Sequence, residues 1–226
     1  MIGLYAVVAL GGSVLNVRNP DRIREAADLI SEALESGLKT CVVVGGGPVA
    51  REYINVARDL GAPETALDEL GITVTRLNAA LLNLALGRPG TDVPETPSEA
   101  AETVRREGVA VCGGTHPGHT TDAVGAMIAE LLQAPLIIVT NVDGIYDRDP
   151  SEPGARKFRE ISARELERLA FEADLEAGGS FVVDPVATKI IRRGRVTTHV
   201  LSWDDFKSAG IRGTLRGRHD GTIVRG

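Results

Sequence analysis

The sequence is poor in the residues that would tie it to a membrane, a metal or an oxidising compartment. It holds two cysteines in 226 residues, Cys41 and Cys112, each inside or at the end of an apolar run. Such a setting suits reduced, buried thiols, and a disulfide would require that two strand ends happen to meet. There is one tryptophan, and aromatic residues make up 4% of the chain. Only four of the 25 basic residues are lysines (Lys39, Lys157, Lys189 and Lys207), and the net charge is −6. That balance disfavours a nucleic-acid binder with a basic face, although a local pocket can still be positive. Residues 1–17 lack any charged side chain, yet no basic segment precedes the apolar run and glycines interrupt it. A buried first strand is expected there rather than a signal peptide or membrane span, and the chain is expected to be cytoplasmic. Two stretches associated with nucleotide chemistry are also missing. No Gly-x-x-x-x-Gly-Lys-Ser/Thr occurs, and no Gly-x-Gly-x-x-Gly follows the first strand, so a P-loop protein and a dinucleotide dehydrogenase are both disfavoured.

What the sequence does contain is a repeated strand, glycine loop, helix pattern. Tyr5–Leu10 is a continuous apolar run that leads into Gly11-Gly12-Ser13. Asn19-Pro20 then opens a helix with Ile23, Ala26, Ala27, Ile30 and Leu34 at helical spacing, and Gly37 ends it. Thr40–Val44 leads into Gly45-Gly46-Gly47 and a second helix, and Val109–Cys112 into Gly113-Gly114-Thr115. The pattern further predicts helices over Asp68–Leu86, Ser98–Glu107 and Asp122–Leu132, and strands at Leu136–Val139 and Val196–Leu201. Ser162 with Glu165 forms a capping box for a helix to about Ala173, and Asp184-Pro185 caps another. Buried strands alternating with helices imply an α/β fold, a three-layer αβα sandwich with a mostly parallel sheet, in one domain over residues 1–226.

In such sheets ligands sit beyond the carboxyl ends of the strands. Three glycine-rich turns at three such ends imply a phosphate-rich ligand. Glycine lets backbone amides approach an anion, and the following helix presents its positive end.

These residues resemble the amino acid kinase family, and within it the archaeal-type UMP kinases. The resemblance runs nearly the whole chain in order: Leu10-Gly-Gly-Ser13, Val43-Val-Gly-Gly-Gly47 with Arg51, Leu70-Gly-Ile72, and Thr75-Arg-Leu-Asn-Ala79. It continues through Gly113–Asp122, Thr140–Tyr146 with Asp149-Pro150, and Asp184–Ile190. The resemblance implies ATP and Mg²⁺ as donor, UMP as acceptor, UDP as product on the route to pyrimidine nucleotides, and a hexamer built from dimers. It places Gly12, Ser13, Gly47 and Arg51 on the ATP phosphates and Thr140, Asn141, Tyr146 and Asp149 on the adenosine portion. Gly46, Asp68, Thr115, His116, Pro117, Gly118, His119, Thr120 and Thr121 would surround UMP.

The acceptor of such a reaction is already a phosphate oxygen, so positioning and charge stabilisation suffice. Asp122 heads a helix where it can orient a cation or Mg²⁺, or serve as a bare N-cap. Asp68 reads either as an N-cap or as a ribose acceptor, Tyr146 and Asp149 also as turn residues, and Arg51 also as a solvated arginine. His116 and His119 have no third ligand nearby, so no metal site is assigned to them. Many members of the wider family carry a lysine two residues before the Gly-Gly-Ser, where this chain has Ala9. Lys189, one helical turn past Asp184-Pro185, is the leading candidate for the missing catalytic cation. A kinase of the same fold for isopentenyl phosphate, carbamate or an acyl amino acid is the nearest alternative. A non-catalytic nucleotide- or oxyanion-storage protein is the other.

Overall fold

A computed structural model describes residues 4–175 and 182–226. One seven-stranded sheet runs through it in the order β3-β2-β1-β4-β6-β7-β5. The strands are β1 (Tyr5–Leu10), β2 (Lys39–Val44), β3 (Val109–Cys112), β4 (Leu136–Thr140), β5 (Glu160–Ser162), β6 (Thr198–Ser202) and β7 (Thr222–Arg225). The first five in spatial order are mutually parallel, β7 lies antiparallel to β6, and β5 is parallel to β7. The mostly parallel sheet expected from the apolar runs is therefore present.

Alternation along β1 shows how the layers are made. Val7 and Ala9 face one core with α4 (Pro97–Glu107), α5 (Thr121–Leu132), α6 (Ala163–Leu175) and α7 (Pro185–Gly194). Ala6, Val8 and Leu10 face the other, with α1 (Pro20–Glu35), α3 (Glu64–Ala85) and α8 (Trp203–Leu215). A strand buried on both faces has no polar side to show, which is why β1 to β4 read as unbroken apolar runs. The remaining helix, α2 (Gly47–Asp59), buries only Ala50 and leans on α3.

Three of the expected helix starts carry side-chain caps, although the Ser162–Glu165 box is half formed because the Glu165 carboxylate pairs with Arg168. The Asn19 side chain accepts the Arg22 amide hydrogen at 3.1 Å, with Pro20 in the first turn. Ser162 accepts the Glu165 amide hydrogen at 3.2 Å, and Asp184 caps α7 through Ala187 N at 3.0 Å. The long helix begins four residues earlier than its apolar spacing implies. Pro63 takes the N-cap position and Glu64 the first turn, so Asp68 lies within α3 and is not its cap. Beyond Leu201 the sequence reading assigned nothing. There α8, kinked at Gly210 (φ 64°), and the edge strand β7 complete the sheet. Cys41 and Cys112 are both buried free thiols on adjacent strands, and Cys41 is held protonated chiefly by its hydrogen bond with Cys112 and then by burial.

Chain order reverses between β1 and β4. From β1 the chain steps through β2 to β3 on one side, and β4 opens the other. A crevice at the carboxyl edge of this reversal is the expected ligand seat of an open α/β sheet.

Candidate functional site at the carboxyl edge of the sheet

Because β3, β2, β1 and β4 are parallel neighbours, the turns that follow them all emerge at one edge. The first two pack backbone to backbone. A side chain at Gly12 would overlap the backbone of Gly47, and one at Gly47 would overlap Gly12 in turn. Gly47 also has φ +65°, a conformation costly for any residue with a Cβ. Gly11 N–H donates to Val139 O at 2.9 Å, tying the first turn to the end of β4.

The third turn is joined to the second through α3. Asn78 donates its amide to Gly45 O at 2.8 Å and Gly46 O at 3.3 Å, one helical turn from Thr75. The Thr75 hydroxyl accepts the Gly114 amide hydrogen at 2.7 Å, and Arg76 Nε donates to Gly114 O at 3.3 Å. Gly113 is required there, since a Cβ would sit 2.5 Å from Thr75 Oγ1. Thr75, Arg76 and Asn78 had been given no role from sequence. The i, i+3 spacing of Thr75 and Asn78 on one helix face was the available signal, but only the folded chain shows that this face meets two loops.

The helix starts at this edge differ in their capping. Gly46 caps α2 without any side-chain hydrogen bond, and Pro48 removes one donor, so the remaining first-turn amides of α2 are left to a ligand or solvent. Arg51 stands exposed one turn into the helix, forming no ion pair with any described residue. Ser13 is likewise exposed. In contrast, α5 is capped by Thr120, which accepts the Ala123 amide hydrogen at 3.2 Å.

The loop between Thr115 and Thr121 is anchored at both ends. Asp68, freed from capping, accepts the Gly118 amide hydrogen at 2.8 Å, where Gly118 turns with φ +77°. Thr115 is buried and its hydroxyl has no partner, so a donor or acceptor is missing at that point. His116 and His119 are exposed and share only a turn hydrogen bond, His119 N to His116 O at 3.3 Å. Among the described residues no group of three His, Cys, Asp or Glu side chains could hold a metal ion. Pro117 and Thr121 are half-buried in the same loop.

Thr120 Oγ1 donates to the Asp184 carboxylate, bringing the start of α7 to the start of α5. Burial, and then the negative charge of Asp184, push the Asp122 carboxyl up to about 7. A carboxyl poised in this way responds strongly to any cation placed beside it. Lys189 lies on α7, exposed and unpaired with any described residue. Ala9 explains why no lysine stands at its own position. It is fully buried in β1, and a Cβ built on Gly125 of α5 would lie 3.5 Å from its methyl.

On the β4 side, Thr140 and Asn141 are joined at 3.1 Å. Tyr146 donates its hydroxyl to Asp143 at 2.9 Å, and Lys157 pairs with the other Asp143 oxygen at 2.8 Å. Lys157 was not among the candidate site residues, because its position falls 14 residues from Asp143 and only the Tyr146–Lys157 bridge brings them together. Asp149 is occupied locally, accepting from Ser151 N at 2.8 Å and Ser151 Oγ at 2.6 Å, which is turn chemistry.

The arrangement defines an α/β protein with three glycine-rich strand-to-helix turns gathered at one edge of its sheet. A profile of the amino acid kinase family matches residues 5–202. The chain belongs to the amino acid kinase family. It is 69% identical over 223 residues to the uridylate kinase of Methanopyrus kandleri, covering 99% of this chain and 100% of that protein. With the uridylate kinase of Methanocaldococcus jannaschii it shares 43% identity over 226 residues, covering 97% and 99%. The crystal structure of uridylate kinase from Archaeoglobus fulgidus superposes with TM-score 0.85 at 40% identity, covering 97% and 99% of the two chains.

Proposed function

We propose that the chain is an ATP-dependent UMP kinase, moving the γ-phosphoryl group onto UMP to give UDP and ADP in pyrimidine nucleotide synthesis. The observation that carries this reading is the contact between the Gly11–Ser13 and Gly45–Gly47 turns, with α3 bridging to Gly113–Thr115. Two phosphate-bearing substrates need two adjoining anion seats for an in-line transfer, and the joined glycine turns at this edge support that reading. The full-length identity to proteins named uridylate kinase supports the choice of acceptor.

In this reading one catalytic domain spans residues 1–226. The amides of Gly12 and Gly47, Ser13 and Arg51 hold the ATP phosphates, and Thr140, Asn141, Tyr146 and Asp149 line the adenosine side. UMP lies against Gly46, Asp68 and the Thr115–Thr121 loop, with the unpartnered Thr115 hydroxyl available to it. Lys189 supplies a cation toward the transferring group, and Asp122 orients positive charge. Mg²⁺ fits here as an ion held mainly by substrate phosphates, since Asp122 and Asp184 are two carboxylates rather than a full protein cage. When bound it would neutralise charge developing on the phosphoryl oxygens.

We also infer a homohexamer, a trimer of dimers, in the cytoplasm. Tyr53, Val56 and Leu60 on α2 and Leu77 and Leu84 on α3 are 58–82% exposed, an apolar surface that a monomer would leave wet. Among the described residues no helix is long and apolar enough to cross a membrane.

A coupled assay for ADP with ATP, Mg²⁺ and a panel of acceptors tests the reading. UMP should be turned over far faster than CMP, AMP or isopentenyl phosphate. Equal rates on UMP and CMP would remove the acceptor assignment, and binding without turnover would favour storage.

A further inference from the structure

A cavity of about 960 Å³ opens at the amino edge of the sheet and takes no part in the site above. Pro135 and Thr197, which line it, directly precede β4 and β6, whose far ends carry Thr140 and Ser202 at the glycine-turn edge. Five residues of strand separate the two edges, about 16 Å.

The wall of this cavity is cationic. Arg195, Arg216 and Arg225 border it, against one carboxylate, Glu130, which is already paired with Arg193 at 3.0 Å. Arg225 pairs with Glu160 at 3.2 Å, whereas the guanidinium groups of Arg195 and Arg216 bond to no described residue. The carboxyl ends of α5, α7 and α8 also reach this edge and bring partial negative charge, roughly half a unit each at most. Arg195 and Arg216 are themselves the C-cap residues of α7 and α8, so full positive charges on long arms stand in front of those ends. The floor is partly apolar, with Pro135, Leu215 and Ile223 beneath the arginines.

A buried imidazole faces the same space. His199 is 4% exposed, borders the cavity, and its Nδ1 lies 3.0 Å from Nε2 of His219. Its own Nε2 has no partner among the described residues. His219 is also buried, and its Nδ1 has no partner either. Two tautomeric arrangements are available. If His199 donates, His219 must carry its hydrogen on Nδ1 as an orphaned buried N–H. If His219 donates, only a bare lone pair is orphaned, the cheaper outcome. The second arrangement puts a hydrogen on His199 Nε2, directed at the cavity. Burial, followed by the neighbouring His219 and Arg225, holds the His199 imidazole neutral, with its pKa down at about 4.

We propose that this cavity is a second ligand site, separate from the glycine-turn edge, that binds a phosphorylated small molecule. Arg195 and Arg216 take the phosphate oxygens, His199 Nε2–H donates to one of them, and the apolar floor carries the organic part. The proposal does not depend on which substrates fill the other edge.

The test is calorimetric titration of metal-free full-length protein with sodium triphosphate. Wild type is compared with Arg195→Ser/Arg216→Ser, and with Arg212→Ser/Arg218→Ser, which removes two arginines that do not border the cavity. Whatever the glycine turns bind, the cavity pair should lose one bound triphosphate per chain, or weaken that class at least tenfold. The second pair should stay within about twofold of wild type. All four positions are exposed, and thermal melts of each variant confirm folding. Repeating the titration with UMP and with UTP reads the contribution of the organic part, expected to tighten binding to the same class. Identical stoichiometry and affinity in wild type and the cavity pair would overturn the proposal, as would equal weakening in both pairs.

Discussion

Gly12 and Gly47 are packed so closely that neither can carry a side chain, and this contact joins the ends of β1 and β2 into one surface. Their closeness is a property of the backbones themselves, since the overlapping atoms are main-chain atoms that no rotamer change can move. Gly12→Ala should therefore lower stability by about 2–4 kcal/mol, a cost typical of steric overlap in a packed region. Thermal melts with and without ATP would measure it. The ATP-induced stabilisation should vanish even where the variant remains folded.

Asn78 holds the second turn from behind. Its buried amide bonds to Gly45 O and Gly46 O, and Asn78→Leu would leave a carbonyl without its donor at a cost of about 1–3 kcal/mol. The expected kinetic signature is a raised KM for the acceptor with a smaller change in kcat. An unchanged KM would show that the turn keeps its shape without the amide.

Asp122 gives a pH-dependent prediction whose sign is opposite to that of a salt-bridged carboxylate. Its pKa in the folded chain, about 7, is above the unfolded value of 3.8, so the group destabilises the fold increasingly as pH rises from about 4 to 7. Asp122→Asn should then raise Tm at pH 8 by about 3–6 °C and hardly change it at pH 4. Turnover should fall at least about tenfold at both pH values.

The histidine pair acts in the opposite direction on the pH axis, although burial is again the first cause. Burial comes first among the causes that depress both imidazoles below 6.5, with His199 brought to about 4. The stability that the neutral pair contributes is complete above pH 6.5 and is lost as pH falls toward 4. His199→Leu should flatten the acid limb of a Tm-against-pH curve while leaving the curve above pH 7 nearly parallel to wild type.

Lys189→Ala should lower kcat by about tenfold or more with little effect on UMP affinity, if its charge acts on the transferring group. Lys157, paired with Asp143, provides the comparison. If Lys157→Ala costs more than Lys189→Ala, the working cation is on the β4 side.

The glycine turns and the five parallel strands were legible because each strand is buried on both faces and each turn is marked by residues with no substitute. Val7 and Ala6 read alike in sequence although they face different cores. The start of α3 was misjudged because Asp68 has the chemistry of a cap, while the true cap position is Pro63, which has no side-chain oxygen to offer. The region from Trp203 to Arg225 was unread for another reason. Gly210 breaks the helical spacing of α8, and β7 is a four-residue edge strand with the pattern Thr-Ile-Val-Arg. Roles carried by contact between distant segments, such as Lys157 with Asp143 or Asn78 with Gly45, leave no mark at any one position. The amino-edge cavity was invisible for that reason too.

The seating of Ala9 against Gly125 constrains how this enzyme lineage can change. Introducing a lysine at position 9 would drive a long charged arm into the seam between β1 and α5, where Ala9 is fully buried and a Cβ on residue 125 would already touch its methyl. Seating a strand-borne cation there would bury its charge in the apolar layer between β1 and α5. Whatever cation serves the reaction must consequently be delivered from elsewhere around the crevice.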